Sequence, residues 1–224
     1  PSASEADVQD ALFEAALLSR IGHPNIIRVF DAGVLDTRQG KRAYFTMEYV
    51  PGGNLDSFWR SHGRNYVPIS DTVEILKQIC RGMEVAHSQT PPIIHRDLKP
   101  QNVLIGYDGA GMRVRIGDFG LAKSVDPLSL VASARGTLGF KPPEFLDGID
   151  STTTDMWALG CILYLLLADR MPFPDSLSED TRQVFAYSHP SKFNFRVDGL
   201  LDEIAAKSLA LNPAERYRHA GEML

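Results

Sequence analysis

The stretch His95-Arg96-Asp97-Leu98-Lys99-Pro100-Gln101-Asn102 is followed further along the chain by Asp118-Phe119-Gly120. Together the two strings place two acids, an amide, a lysine and an arginine in short polar loops. Carboxylate and amide oxygens without a cluster of cysteine and histidine suit Mg²⁺ rather than zinc. An acid and a lysine two residues apart can face an attacking hydroxyl and an anionic group together. The pattern predicts a site in which a metal-bound phosphate meets a nucleophile.

Both strings resemble the signature sequences of protein kinases, and the chain is similar in them to eukaryotic-type serine/threonine protein kinases. The resemblance implies an α+β, bilobal protein-kinase-like fold with a truncated small β lobe and a mainly helical large lobe. Residues 1–50 would form the partial small lobe, with a helix, two strands and a hinge, and residues 51–224 the large lobe. The implied cofactors are ATP and Mg²⁺, and the implied partners are protein substrates with Ser or Thr hydroxyls.

The resemblance also implies roles for the residues of the two strings. In phosphoryl transfer a protein mainly positions groups and neutralises negative charge. Asp97 would orient the substrate hydroxyl or accept its proton, and Lys99 would reach the transferring phosphoryl group. Asn102 and Asp118 would bind Mg²⁺, and Asp118 would join the metal to the nucleotide phosphates. Lys99 is typical of serine/threonine-specific members, because tyrosine-specific relatives generally place no lysine there.

A nucleotide-binding segment is implied between the two lobes. The sequence Met47-Glu48-Tyr49-Val50 resembles a gatekeeper and hinge, in which the Glu48 carbonyl and the Val50 amide would bind the adenine edge. Asn54 would contact the ribose. Leu104 would form the floor under the adenine.

Three residues are expected to regulate the site. Glu14 lies where the family has a helix glutamate that clamps the ATP-binding lysine, although spacing alone would make it a solvated carboxylate. Arg96 resembles the arginine that pairs with a phosphorylated activation segment. Thr137 would brace Asp97 and Lys99. The candidate phosphorylation sites in the same segment are Ser124, Ser129 and Ser133.

Five further residues are expected to have structural roles. His95 would be mainly a packing residue, and Phe119 would pack beneath the amino-terminal helix. Glu144 would form a buried ion pair with Arg216. Asp155 belongs to a string that resembles the central helix on which the catalytic loop is anchored.

Hydrophobic periodicity predicts the secondary structure. Helices are expected at 4–21, 69–88, 152–168, about 178–187 and 199–210, and strands at 26–34, 41–50, 103–105 and 112–116. Ser70 or Asp71 is expected to cap the second of these helices. Residues 121–143 show no period, and loops of that length are usually functional.

The small lobe lacks expected parts. No G-x-G-x-x-G loop and no V-A-I-K-type strand precede Glu14, and no lysine occurs before Lys41. The chain also starts with Pro1 rather than methionine, which suggests a fragment, a processed product or a trimmed start. Three explanations remain open: a trimmed kinase, a naturally reduced small lobe that gives a weak kinase or pseudokinase, or strands supplied by a partner. As given, the two predicted strands would leave an exposed edge.

Composition limits the remaining classes of function. The net charge of −5 and the pI near 5.7 argue against a nucleic-acid-binding protein. Cys80 and Cys161 lie in apolar patterns and are expected to be buried, reduced thiols, which fits a cytoplasmic protein. The longest apolar run, 157–168, is shorter than the ~18 residues of a membrane span, so no membrane segment is expected.

Two alternatives to a protein kinase are open from the sequence. One is a non-catalytic scaffold that docks partners on the helices after residue 152. The other is a small-molecule kinase of the aminoglycoside phosphotransferase type, which shares the Asp…Asn…Asp core. That class generally lacks the activation segment and the Glu144 anchor.

Overall fold

The structure is a computed structural model, and it describes residues 21–38, 40–63, 65–119, 138–173 and 187–224 together with Leu12 and Ser19. Within them the strands are β1 (Val29–Thr37), β2 (Gly40–Met47), β3 (Val103–Asp108) and β4 (Gly111–Ile116). The α-helices are α1 (Leu55–Ser61), α2 (Ile69–His87), α3 (Thr152–Ala168) and α4 (Gly199–Ser208). Short 3-10 helices are Pro100–Asn102, Leu138–Phe140, Pro143–Asp147, Pro190–Lys192, Pro213–Glu215 and Ala220–Glu222. This composition confirms the predicted α+β class.

The strands form two separate antiparallel hairpins, β1 with β2 and β3 with β4. Both predicted pairs are present, but β1 begins three residues later than predicted. The preceding residues have another partner: Ile26 forms a parallel bridge with Ile116, and the Ile27 amide donates to the Ile116 carbonyl at 2.9 Å. The β1–β2 hairpin is therefore tied to β4. Phe30 of this hairpin is 61% exposed.

Helix α3 lies at the centre of the large lobe. Its predicted limits, 152–168, are confirmed, and every residue from Thr154 to Ala168 is buried. A helix that is apolar on all sides must be covered on all sides, so α2 and α4 pack against it. The contact with α4 requires Gly160, because a Cβ there would lie 2.7 Å from the Ser208 Cβ. Both cysteines are buried and free, and burial raises the pKa of the Cys80 thiol to about 12.

Helix α2 is present as predicted, but its predicted cap is wrong. Pro68 is the N-cap residue and makes no side-chain cap hydrogen bond. The first hydrogen bond of the helix runs from the Thr72 amide to the Pro68 carbonyl at 2.9 Å, so Ser70 and Asp71 lie inside the first turn. The Ser70 hydroxyl donates to the Asp71 carboxylate instead, at 3.3 Å.

Some predicted elements lie outside the described residues. These are the helix at 4–21 apart from Leu12, Ser19 and Ile21, most of the helix at about 178–187, and the loop as far as residue 137. Helix α1, in contrast, was not predicted, because seven residues are too few to show a period. No helix in the described ranges has the length and apolar character that a bilayer crossing requires.

Candidate active site

Residues 95–102 form the predicted catalytic loop. The buried carboxylate of Asp155, in the first turn of α3, holds the backbone of this loop. Its two oxygens accept hydrogen bonds from the His95 amide at 2.8 Å and the Arg96 amide at 3.0 Å. His87, at the end of α2, bonds to it through Nε2 at 3.0 Å. Arg96 has a φ of 65°, an unfavourable conformation for a residue with a Cβ that these bonds compensate. The role predicted for Asp155, as part of the helix that anchors this loop, therefore matches direct contacts in the structure.

His95 lies beneath the loop and is fully buried. Its Nε2–H donates to the Gly117 carbonyl at 2.9 Å, and its Nδ1 accepts from the Asp97 amide at 3.3 Å. This pattern requires the neutral ring, and burial lowers the pKa of His95 accordingly. The ring also packs on Phe119 with 4.6 Å between centroids. His95 therefore joins the two signature strings. The contact predicted between Phe119 and the amino-terminal helix lies outside the described residues.

The Asp97 carboxylate is the centre of the polar cluster above this layer. Lys99 Nζ lies 2.6 Å from its Oδ2. Asn102 Nδ2 donates to the Asp97 carbonyl at 2.8 Å and contacts Oδ2 at 3.3 Å. The Asp97 side chain remains 26% exposed, so a hydroxyl group from outside can reach it. The structure thus brings the three predicted catalytic residues into one cluster.

A second lysine contacts the same carboxylate and was not predicted from the sequence. Lys141 Nζ lies 3.5 Å from Asp97 Oδ1 and donates a hydrogen bond to the Arg96 carbonyl. It also lies 4.8 Å from the centroid of the Phe145 ring. The sequence showed Lys141 only as a lysine three residues before Glu144, in a stretch without periodicity, and this gave no indication of its contact with Asp97.

Asp118 and Asn102 are brought together by the backbone. The Gly117 amide donates to the Asn102 carbonyl at 2.8 Å, which places Asp118 directly after that contact. Asp118 has a φ of 53°, is exposed and pairs with no other described residue. Because Asn102 Nδ2 bonds to Asp97, its Oδ1 is left as the free oxygen.

This donor set fits Mg²⁺. Mg²⁺ in phosphoryl-transfer sites takes one or two carboxylates, and substrate phosphates and water complete its coordination. The Asp118 carboxylate and the Asn102 oxygen match that requirement. The described ranges contain no group of three or more His, Cys, Asp or Glu side chains that could hold a metal ion.

The hinge-like segment follows β2. The Glu48 amide donates to the Arg28 carbonyl at 2.9 Å, and its carboxylate pairs with Arg115 on β4. Val50 is buried, whereas Tyr49 is 86% exposed. Among the described residues, nothing donates to the Glu48 carbonyl and the Val50 amide donates to nothing. In the described ranges, the two groups expected to bind adenine therefore have no backbone partner, and their contact with adenine stays a prediction.

Glycines bring this segment against β3. A Cβ on Gly52 would lie 2.2 Å from the Ile105 carbonyl oxygen, so no larger residue fits without backbone movement. The Ile105 amide donates to the Gly53 carbonyl at 2.9 Å. Asn54 then forms a bridge with Leu104, two residues after Asn102. Strand β3 therefore links the hinge to the cluster around Asp97.

Asn54 has a local structural role in addition to its predicted contact with ribose. Its Oδ1 accepts a hydrogen bond from the Ser57 amide at 2.9 Å and so caps α1. Its side-chain NH₂ group remains for a ligand. The ribose contact and the adenine floor at Leu104 stay predictions.

The predicted regulatory residues are only partly described. Glu14, Thr137, Gly120 and the serines at 124, 129 and 133 lie outside the described residues. Arg96 is described, and its Nε lies 3.0 Å from Asp150 Oδ2. The predicted pairing of Arg96 with a phosphorylated segment stays a prediction.

Glu144 and Arg216 form the predicted buried ion pair. The guanidinium contacts both carboxylate oxygens, at 2.5 and 2.9 Å. Its other N–H groups donate to the carbonyls of Ala210, Leu211 and Thr153 at 2.7 to 3.2 Å. All five donors of Arg216 are therefore satisfied. The pair fixes the segment that carries Lys141 against the start of α3.

A further buried polar cluster, missed from the sequence, joins the small lobe to α2 and β4. Asn25 Nδ2 donates to Gln78 Oε1 and to the Val114 carbonyl, both at 2.9 Å. Gln78 Oε1 also accepts from the Val114 amide at 2.8 Å. Gln78 and Val114 lie 53 and 89 residues from Asn25, so no local sequence pattern indicated this cluster.

Comparison with known proteins identifies the family. Residues 2–220 match the family model described as Protein kinase domain, and the chain belongs to this family. Serine/threonine-protein kinase PknB of Mycobacterium leprae is 33% identical over 222 residues, which cover 94% of this chain and 34% of the relative. The probable PknB of Lactococcus lactis is 33% identical over 219 residues, with 94% and 33% covered. The chain thus spans about a third of the length of these relatives.

Solved structures agree with the predicted bilobal kinase fold. A crystal structure of Rad53 in complex with AMP-PNP matches with a TM-score of 0.76 and 30% identity, covering 98% of this chain and 54% of the other. The Mycobacterium tuberculosis PknI kinase domain matches with a TM-score of 0.74 at 23% identity, covering 99% and 78%. At that identity the second match supports the fold alone.

Proposed function

We propose that the chain is the catalytic domain of a serine/threonine protein kinase, which transfers the γ-phosphoryl group of ATP to Ser or Thr hydroxyls of proteins. The observation that carries the proposal is the cluster of Asp97, Lys99 and Asn102, with 2.6 to 3.3 Å between its groups. A scaffold would not need that arrangement on a loop fixed by a buried acid. The relatives named serine/threonine-protein kinases support it.

The proposed reaction assigns one task to each residue. Asp97 Oδ2 orients the substrate hydroxyl and takes its proton as the oxygen attacks the γ-phosphorus, and ADP leaves. The Lys99 ammonium moves from Asp97 towards the phosphoryl oxygens, whose negative charge it neutralises. Asn102 Oδ1 and the Asp118 carboxylate would hold Mg²⁺, which when bound neutralises the nucleotide phosphates.

The proposed nucleotide site lies between the hinge-like segment and β3. The Glu48 carbonyl and the Val50 amide would bind the adenine edge, and Leu104 would contact its face. The Asn54 side-chain NH₂ group would reach the ribose. The likeness to the Rad53 complex with AMP-PNP supports the choice of a nucleoside triphosphate.

The arrangement of lobes and the regulation are also proposals. We place the small lobe at 1–50 and the large lobe at 51–224, with the nucleotide between them. Glu14 would position an ATP-binding lysine, and Thr137 would brace the catalytic loop. Arg96 would exchange Asp150 for a phosphorylated residue of the activation segment. Two buried thiols and the use of ATP fit a cytoplasmic domain.

The test is transfer of radiolabelled phosphate from ATP to a protein substrate by the full-length protein. We expect Asp97→Asn and Asp118→Asn each to lower the rate by about a hundredfold or more, as loss of a base or of charge stabilisation does. Asp108→Asn is the control, because that exposed carboxylate lies at the far end of β3 and pairs with Arg113. Transfer unchanged by both substitutions, or absent from the unsubstituted protein, would contradict the proposal.

A further inference from the structure

We infer that Lys141 is a positioning residue for Asp97, which holds one carboxylate oxygen while the other receives the substrate hydroxyl. This inference rests on the proposed function. Only 12% of the Lys141 side chain is exposed, and its ammonium lies between the Arg96 carbonyl and Asp97 Oδ1. A lysine charge removed from water needs such partners. The arrangement therefore makes Lys141 part of the catalytic loop's surroundings, although it lies far away in sequence.

The two oxygens of Asp97 have different partners. Oδ2 contacts Lys99 Nζ at 2.6 Å and Asn102 Nδ2 at 3.3 Å. Oδ1 contacts Lys141 Nζ at 3.5 Å. Lys99 has a proposed task at the phosphoryl group, so its contact with Oδ2 is the one that changes when ATP binds. The Lys141 contact has no such competing task and can keep the carboxylate in its orientation.

The segment that carries Lys141 is itself held in place. Three residues later, Glu144 forms the buried ion pair with Arg216. Two residues earlier, the Gly139 carbonyl accepts a hydrogen bond from the Cys161 thiol at 3.7 Å. Phe145 lies 4.8 Å from the ammonium and adds a cation–π contact. Lys141 therefore reaches Asp97 from a fixed backbone, which is what orientation of a base requires.

A purely structural role is the competing explanation. In that case the bond from Lys141 to the Arg96 carbonyl would stabilise the loop, and the contact with Asp97 would be incidental. The two roles differ in their kinetic effect. Loss of orientation at the base lowers kcat and leaves KM for ATP unchanged, whereas a distorted loop affects both.

The experiment compares Lys141→Met and Lys141→Arg in the full-length protein, with kcat, KM for ATP and thermal unfolding measured for each. Lys77→Met is the matched control, because Lys77 is exposed on α2. We expect Lys141→Met to lower kcat about tenfold to a hundredfold, as misplacement of a reacting group does, with KM for ATP within about twofold. Lys141→Arg should restore most of kcat. An unchanged kcat in Lys141→Met, or an equal loss in both variants, would overturn the inference.

A double-mutant cycle keeps the test valid if Lys141→Met also lowers stability. In an Asp97→Asn background, Lys141→Met should cause no further loss of the residual rate, because the group that it positions is already absent. A full additional loss would show a structural role and overturn the inference. Failure of Asp97→Asn to lower the rate would instead contradict the proposed function, so the two failures are distinguishable.

Discussion

The catalytic loop and the β1–β2 hairpin both reach the proposed nucleotide site, but they are held by different kinds of contact. The polar groups that hold the loop and the neighbouring Lys141 segment are buried: Asp155, which binds the loop backbone, is 1% exposed, and Arg216, which binds Glu144, is 2% exposed. In the described part of the chain, the hairpin is joined to the rest by the backbone bond from Ile27 to Ile116, by the buried cluster at Asn25 and by the Glu48–Arg115 pair. The side chains of that pair are about a quarter exposed. Disrupting a buried, fully paired group costs several kcal/mol of stability, whereas a partly exposed ion pair contributes little. The residues proposed to carry the chemistry are thus held by more deeply buried pairs than the residues proposed to bind adenine.

The strongest test of this difference is Arg216→Ala. It leaves the Glu144 carboxylate buried without its partner, so we expect the free energy of unfolding to fall by about 3 to 5 kcal/mol. Chemical denaturation measures it. The double variant Glu144→Leu with Arg216→Met should recover part of the loss, because no unpaired charge remains. A loss below about 1 kcal/mol in the single variant would contradict the claim that the loop side is held by buried pairs.

The buried cluster that joins the hairpin to α2 should show an intermediate effect. Asn25→Ala removes both donors and leaves Gln78 Oε1 and the Val114 carbonyl with fewer partners. We expect a loss of about 1 to 3 kcal/mol in the free energy of unfolding, the cost of unsatisfied buried polar groups. Asn65→Ala is the control, because Asn65 is exposed and the substitution keeps the hydrogen bond from its backbone N–H to the His62 carbonyl. Equal losses of stability in the two variants would show that the hydrogen bonds of Asn25 do not stabilise the fold.

The buried layer under the loop also predicts a pH dependence. Burial lowers the pKa of His95 below its usual 6.5, so the unfolded chain binds the proton more readily. The stabilising contribution is complete above pH 6.5 and is lost as the pH falls, by at most about 1.4 kcal/mol per pH unit. His95→Gln cannot titrate and should flatten this dependence between about pH 6.5 and 5 in denaturant titrations.

The control for that measurement is His23→Gln, since burial and then Arg81 also lower the pKa of His23. His23 is only partly buried, so its substitution should change the pH dependence less. A His95→Gln variant with the same slope as the unsubstituted protein would show that His95 is not the titrating group.

The smallest effect is expected at the hinge. Arg115→Gln removes the partner of Glu48, and we expect at most about 1 kcal/mol of lost stability, because both side chains are about a quarter exposed and water weakens their attraction. The difference should shrink further at high salt because exposed charges are screened. Thermal unfolding at low and high ionic strength measures both values. A loss that matched Arg216→Ala would abolish the distinction between loop and hairpin.

The sequence predicted those parts of the molecule whose cause is local. Helix α3 was predicted with its limits because a continuous apolar run allows few alternatives. The two hairpins also follow from short alternating segments around polar turns. The site cluster around Asp97 was predicted through its resemblance to a family, and its residues are close together because they lie within one short loop.

The contacts that were missed join residues that are distant in sequence. Asn25 bonds to Gln78 and Val114, which lie 53 and 89 residues away. Periodicity registers apolar side chains, so it gave no sign that Gln78 is buried or that His87 is a polar partner. Lys141 was missed for the same reason, because only the fold brings it to Asp97.

The ion pair between Glu144 and Arg216 has a consequence for how the protein is made. Its two residues are separated by 72 positions in the chain. At 5 to 20 residues per second, the ribosome needs roughly 4 to 14 s to add the second partner after the first. During that interval the acid cannot enter its native position without an uncompensated charge. The segment that carries Lys141 and Glu144 therefore reaches its native position late in biosynthesis. It does so after α3 has been synthesised and only when Arg216 has emerged from the ribosome.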